Sequence, residues 1–146
     1  MIHDKIDKMI MEAMKAKEEE RVYVYRLIKA KFLEYKTSKG ASEFTDAIET
    51  TLLNKMIAQR EQSIMMYEQA GRNDMAEAER AEVAIISEFV PKAATEEDIN
   101  KAIDELIAGG IEPIKKNMGM LIKGVKAKFQ NVDGKLTSEL VSKRLQ

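Results

Sequence analysis

Cysteine and tryptophan are absent from the chain, and with 2 prolines, 7 glycines and a single histidine in 146 residues it is poor in chain breakers and in chemistry-bearing side chains. Without cysteine there are no disulfides, no thiolate zinc sites and no thiol nucleophile, and nothing in the chain calls for an oxidising compartment; the expected location is cytoplasmic. The lone His3 excludes Ser-His-Asp and Cys-His arrangements and histidine-containing metal spacings, and no glycine-rich phosphate loop occurs. No apolar run approaches the roughly 20 residues of a membrane span, and Met1 to Ile10 alternates charged with apolar residues instead of forming the core of a secretory signal. These absences predict no catalytic residue, metal or cofactor belonging to this chain alone.

What is present is charge and helical periodicity, with 34% charged and 45% apolar residues. Ile2, Ile6, Met9, Ile10, Ala13 and Met14 mark a first helix, and Val22, Tyr25, Leu27, Ile28, Phe32 and Tyr35 a second, which ends in the loop 37–42. Thr45 is placed to cap a third, from about Asp46 to Ala70, stopped by Gly71. Asn73 is placed to cap a fourth, closed by Pro91, so that the third and fourth form an antiparallel hairpin. After the candidate linker Pro91-Lys92-Ala93-Ala94, Thr95-Glu96-Glu97-Asp98 has the form of a capping box, with Asp in its fourth position. That helix ends at Gly109-Gly110; another is expected from Asn117 to Phe129, and a last one after Val132-Asp133-Gly134. The predicted fold is all-α, an N-terminal four-helix part (residues 1–92) and a small C-terminal three-helix part (residues 93–146).

Charge is unevenly spread. From Ala93 to Pro113 one base, Lys101, faces Glu96, Glu97, Asp98, Asp104, Glu105 and Glu112. From Ile114 onward Lys115, Lys116, Lys123, Lys126, Lys128, Lys135, Lys143 and Arg144 face only Asp133 and Glu139, a basic segment inside a nearly neutral protein. At about 100° per residue, Met118, Leu121, Ile122, Val125 and Phe129 gather on one face, and Lys115, Lys116, Lys123 and Lys126 gather a quarter to a third of a turn away.

Polar residues fall where the hairpin wants apolar ones. Gln59, Arg60 and Ser63 lie on the face of the third helix defined by Ile48, Leu52, Met56, Met66, Tyr67 and Ala70. Glu79 and Glu82 lie within the Met75, Ala78, Ile86, Phe89, Val90 face of the fourth. Folding about Gly71-Arg72 brings Arg60 level with Glu82 and Glu79, and a buried charge needs a partner, so a structural network of these polar residues is expected. His3 is expected to be solvated on a frayed turn, and the ten methionines, most at core spacing, to be packing residues.

Read in order, Gln59-Arg60 with Ser63, Ala70-Gly71-Arg72 with Asp74, Glu79, Glu82, Phe89-Val90-Pro91, Asn117-Met118-Gly119 and Asp133-Gly134-Lys135 form a signature over nearly the whole chain. It resembles the YqeY family of GatB/YqeY-domain proteins. That family is similar to the C-terminal tail of the B subunit of tRNA-dependent amidotransferase and to a domain appended to some glutaminyl-tRNA synthetases. The resemblance implies a helical tRNA-binding or aminoacyl-tRNA amidation accessory module, whose partner is tRNA or a tRNA-amidation or synthetase protein. It does not bring the amidotransferase chemistry with it. The family pattern usually has Asp-Met-Gly-Lys where this chain has Asn117-Met118-Gly119-Met120, and a Gly-Arg-type pair where it has Gln130-Asn131. Under this reading the RNA-contacting residues are Lys115, Lys116, Lys123, Lys126, Lys135, Lys143 and Arg144, recognising shape and phosphate, since only Phe129 offers a ring nearby. Two alternatives are a helical protein-interaction adaptor without RNA binding, and a weak enzyme built on Arg60, Glu79 and Glu82.

Overall fold

A computed structural model describes residues 1–146 as helices and connections, without a strand. The chain divides into two compact units, Met1–Val90 and Pro91–Gln146. The first opens with a 3-10 turn, Ile2–Asp4, followed by α1 (Ile6–Lys15), α2 (Glu19–Lys36), α3 (Asp46–Gln69) and α4 (Asn73–Ser87). The second holds α5 (Glu96–Ala108), a 3-10 turn at Lys115–Asn117, α6 (Met118–Lys128) and α7 (Gly134–Arg144).

Local signals decide most of the helix ends. Thr45 accepts from the Ile48 amide at 3.2 Å. Thr95 and Asp98 bond to each other's amides at 3.0 and 3.1 Å, the complete capping box. Asp133 caps α7 through the Lys135 amide at 3.1 Å. One expected cap is corrected. Asn73 is the first residue of α4, not its cap, and Arg72 takes that position without a side-chain bond. Asn117 precedes α6, but its amide donates to the Glu112 carbonyl at 3.0 Å, fastening the preceding loop rather than the helix. Gly71 adopts the left-handed φ of +72° that closes α3, while Arg72 N–H returns to the Tyr67 carbonyl at 2.8 Å.

In the N-terminal unit Ile2, Ile6, Ala13, Val24, Ile28, Phe32, Leu53, Met56 and Ile86 form one core. The stripe of α3 differs from the one the spacing predicts, because Glu49, Thr50, Leu53 and Met56 are buried whereas Met66 is 64% exposed. The 24 residues of α3 span roughly 36 Å, and beyond Met56 only Ala76 of the facing helix is buried until Ile85. Two helices sharing a single seam cannot cover a full apolar stripe. For the same reason Met65, Met66 and Met75 stand out from the hairpin, and with Met1, Met11, Met14 and Met120 they are exposed, so most methionines here are surface rather than packing residues.

The C-terminal unit has its own core of Ile99, Ala102, Ile103, Leu121, Val125, Leu140 and Val141. Gly124 admits the close approach of α5: a β-carbon there would meet Leu106 Cδ1 at 2.9 Å. The segment Pro91–Ala94 is fastened to this unit by Asn131, whose carbonyl accepts from Ala94 N–H at 2.9 Å and whose side-chain amide donates to the Pro91 carbonyl at 2.8 Å.

Candidate functional site

The α6–α7 hairpin carries the basic segment. Gln146 N–H donates to the Pro113 carbonyl at 2.8 Å, so the end of α7, with Lys143, lies beside the segment leading into Lys115 and Lys116. At the other end a β-carbon on Gly134 would come 3.3 Å from the Lys126 Nζ, which places that ammonium at the start of α7, next to Lys135. Lys143 lies eight positions after Lys135 on α7, about 12 Å along the helix at 1.5 Å per residue. Lys123 lies between these ends on α6. All six of these lysines are exposed, and none forms an ion pair.

The remaining two cations are spoken for. Lys128 Nζ lies 2.5 Å from a Glu105 carboxylate oxygen, and that bond holds the Glu105 carboxyl below its ordinary range. Arg144 pairs with Asp104 on the same helix, α5. Arg144, grouped with the lysines on sequence grounds, is therefore a brace between α5 and α7, while the acidic face of α5 neutralises two of the eight cations of this segment and leaves six.

The second polar constellation lies in the α3–α4 hairpin. Arg60 Nε lies 3.2 Å from Glu82 Oε2, the two side chains being 15% and 16% exposed, and Arg60 Nη1 also donates to the Met56 carbonyl at 3.2 Å. Burial pushes the Glu82 carboxyl above its ordinary value; Arg60 opposes that shift, and the neighbouring Glu79 carboxyl, which bonds to Glu82, adds to it. Gln59 and Ser63 stand apart from the cluster: Gln59 is exposed, and the Ser63 hydroxyl donates to the Gln59 carbonyl of its own helix at 3.2 Å. The pair thus bridges α3 and α4 with little of either side chain reaching solvent.

The raised Glu82 fixes a pH dependence. A carboxyl whose folded-state value exceeds its unfolded one binds its proton more tightly in the native protein, so the native state loses stability as pH rises from below 4.5 through the folded value. Glu82→Gln keeps an acceptor for Arg60 without the charge. We expect its melting temperature relative to wild type to climb as pH is raised from 4 to 7; a constant difference would show that Glu82 does not titrate abnormally.

The family described as "Yqey-like protein" matches residues 3–145. The chain belongs to the YqeY family. No curated protein matches it. Of the positions that carry the YqeY resemblance, Arg60, Glu79 and Glu82 meet in the hairpin cluster, and Gly71 makes its turn. The departure at Gln130-Asn131 has a structural role: Asn131 is buried and ties the Pro91–Ala94 segment, work that an arginine on the surface would not do.

The residue that sequence reasoning missed in this YqeY-family chain is Glu49. It is fully buried, and its carboxylate accepts from Ile2 N–H at 3.2 Å, from His3 N–H at 2.6 Å and from the His3 ring at 2.8 Å. His3 is accordingly not the solvated, frayed residue expected; its side chain is 13% exposed and its ring centroid lies 4.8 Å from that of Phe44. A helix position four residues after the Thr45 cap reads as a solvated first-turn acid, and nothing local marks it as the anchor of a turn 46 residues away.

Proposed function

We propose that this protein is a binding module rather than an enzyme, and that its C-terminal unit holds the phosphate backbone of RNA, tRNA by family association, in an accessory role in aminoacyl-tRNA amidation or charging. The observation that carries this reading is the set of six exposed, unpaired lysines, Lys115, Lys116, Lys123, Lys126, Lys135 and Lys143, on one small helical unit in which Glu105 and Asp104 are taken by Lys128 and Arg144. Their field favours a polyanion. Lysines at the two ends of α7, set about 12 Å apart along its axis, suit contacts with more than one phosphate and carry no base readout. Phe129 is half-buried in the core, so it is not free to stack on a base.

Lys123→Glu/Lys126→Glu tests the reading. Both side chains are exposed, so the helical circular dichroism should be unchanged. Binding to tRNA should weaken by tenfold or more at low salt, and the slope of log K against log salt should flatten by about 1.4–1.8, the loss of two phosphate contacts. Unaltered affinity and slope would remove the α6–α7 face as the RNA contact.

A further inference from the structure

The corner between α1 and α2 holds a groove of about 460 Å³ in the N-terminal unit. Its floor is apolar, built from Ala13, Met14, Val22 and Tyr23, and Lys17 and Arg26 stand on its lip. Met14 is 53% exposed and Tyr23 56%, and Met11, one turn before Met14 on α1, extends the same apolar strip. An open, methionine-rich trough of this kind adapts to aliphatic side chains of another helix.

The charges around it are not balanced. Lys15, Lys17 and Arg26 form no ion pair, and the Arg26 guanidinium instead approaches the Met14 sulfur at 3.8 Å. Of the two acids that also line the groove, Glu18 is taken by Arg21 at 3.3 Å, which leaves Glu19. Lys17 carries a second mark. The turn after α1 closes with Glu18 N–H on the Ala13 carbonyl at 3.0 Å and Lys17 N–H on the Met14 carbonyl at 3.1 Å, which forces Lys17 to φ +60°. Glycine suits such a position best. A lysine there bears backbone strain and in return sets an ammonium on the lip of the groove.

We propose that this groove seats an amphipathic helix of a partner protein, with aliphatic side chains at successive helical turns in the trough and carboxylates on its flank against Lys15, Lys17 and Arg26. Charge complementarity selects an acidic partner. The apolar floor selects a protein over a nucleic acid, because the Tyr23 hydroxyl is its one polar side-chain group and Tyr23 its one exposed ring. This surface is independent of the lysines of α6 and α7.

Selection of a phage-displayed library of helical peptides against the whole chain tests the proposal. Enriched sequences should share apolar residues at i, i+3 and i+4 with Asp or Glu beside them. A fluorescent synthetic copy of the leading peptide should bind the wild type and lose about tenfold or more in affinity on Met14→Glu, on Tyr23→Ala and on Arg26→Glu. All three side chains are exposed, so melting temperatures should hold. Lys123→Glu/Lys126→Glu should leave peptide binding untouched, separating this surface from the RNA reading. The proposal is overturned if nothing is enriched, if enriched peptides are basic, if they bind the groove variants as well as wild type, or if Arg26→Glu weakens tRNA binding.

Discussion

Arg60→Ala should lower the stability of the N-terminal unit by about 2–4 kcal/mol, a fall of roughly 10–20 °C in melting temperature for a unit of this size. The loss comes less from the missing attraction than from what it leaves behind: Glu82 remains largely desolvated, beside Glu79, with its only compensating cation gone. A small fraction of both side chains reaches water, which places the expected cost toward the lower part of the range for broken buried pairs. The carboxyl can also relieve itself by taking a proton, so the deficit should grow as pH rises. Arg60→Lys keeps the charge but not the forked geometry by which Arg60 reaches both Glu82 and the Met56 carbonyl, and should recover only part of the loss. An unchanged melting temperature in Arg60→Ala would contradict a structural role for the cluster.

Glu49→Ala is expected to cost about 3–5 kcal/mol, because it removes a charged acceptor from three donors and empties a fully buried position at once. Bonds to charged groups contribute roughly 1.5–3 kcal/mol each. The turn can answer by detaching, which would hydrate its amides but expose Ile2, a buried core residue. Detachment has its own signature, faster hydrogen exchange at Ile2 and His3 with α5 to α7 unaffected. Glu49→Gln retains an acceptor oxygen but sets an NH₂ group among donors, and should fall between wild type and Glu49→Ala. If Glu49→Ala melts like the wild type, the buried carboxylate is not what anchors the N-terminal turn.

These two sites show which parts of the molecule can be read from the chain. The capping box Thr95 to Asp98, the Thr45 cap and the Gly71 turn are decided within a few residues, and they stand where the sequence places them. Arg60 and Glu82 are 22 residues apart, yet a hairpin about a known turn converts that separation into a register, so their meeting follows from local signals alone. Glu49 and His3 meet through the packing of the 3-10 turn against α3, which no local pattern encodes. The same limit explains the methionines: helical spacing says which side chains share a face, but only the presence of a neighbouring element says whether that face is covered. Along the distal half of α3 it is not. On α6 and α7 the basic character was evident from composition, whereas the withdrawal of Lys128 and Arg144 depends on how α5 packs.

The most direct test of the phosphate-binding reading is a titration of the wild-type chain with tRNA across a series of salt concentrations. Six engaged lysines at 0.7–0.9 counterions each give an expected log K against log salt slope of about −4 to −5, with binding clearest at the lowest salt. Absence of binding at low salt, or affinity indifferent to salt, would contradict it.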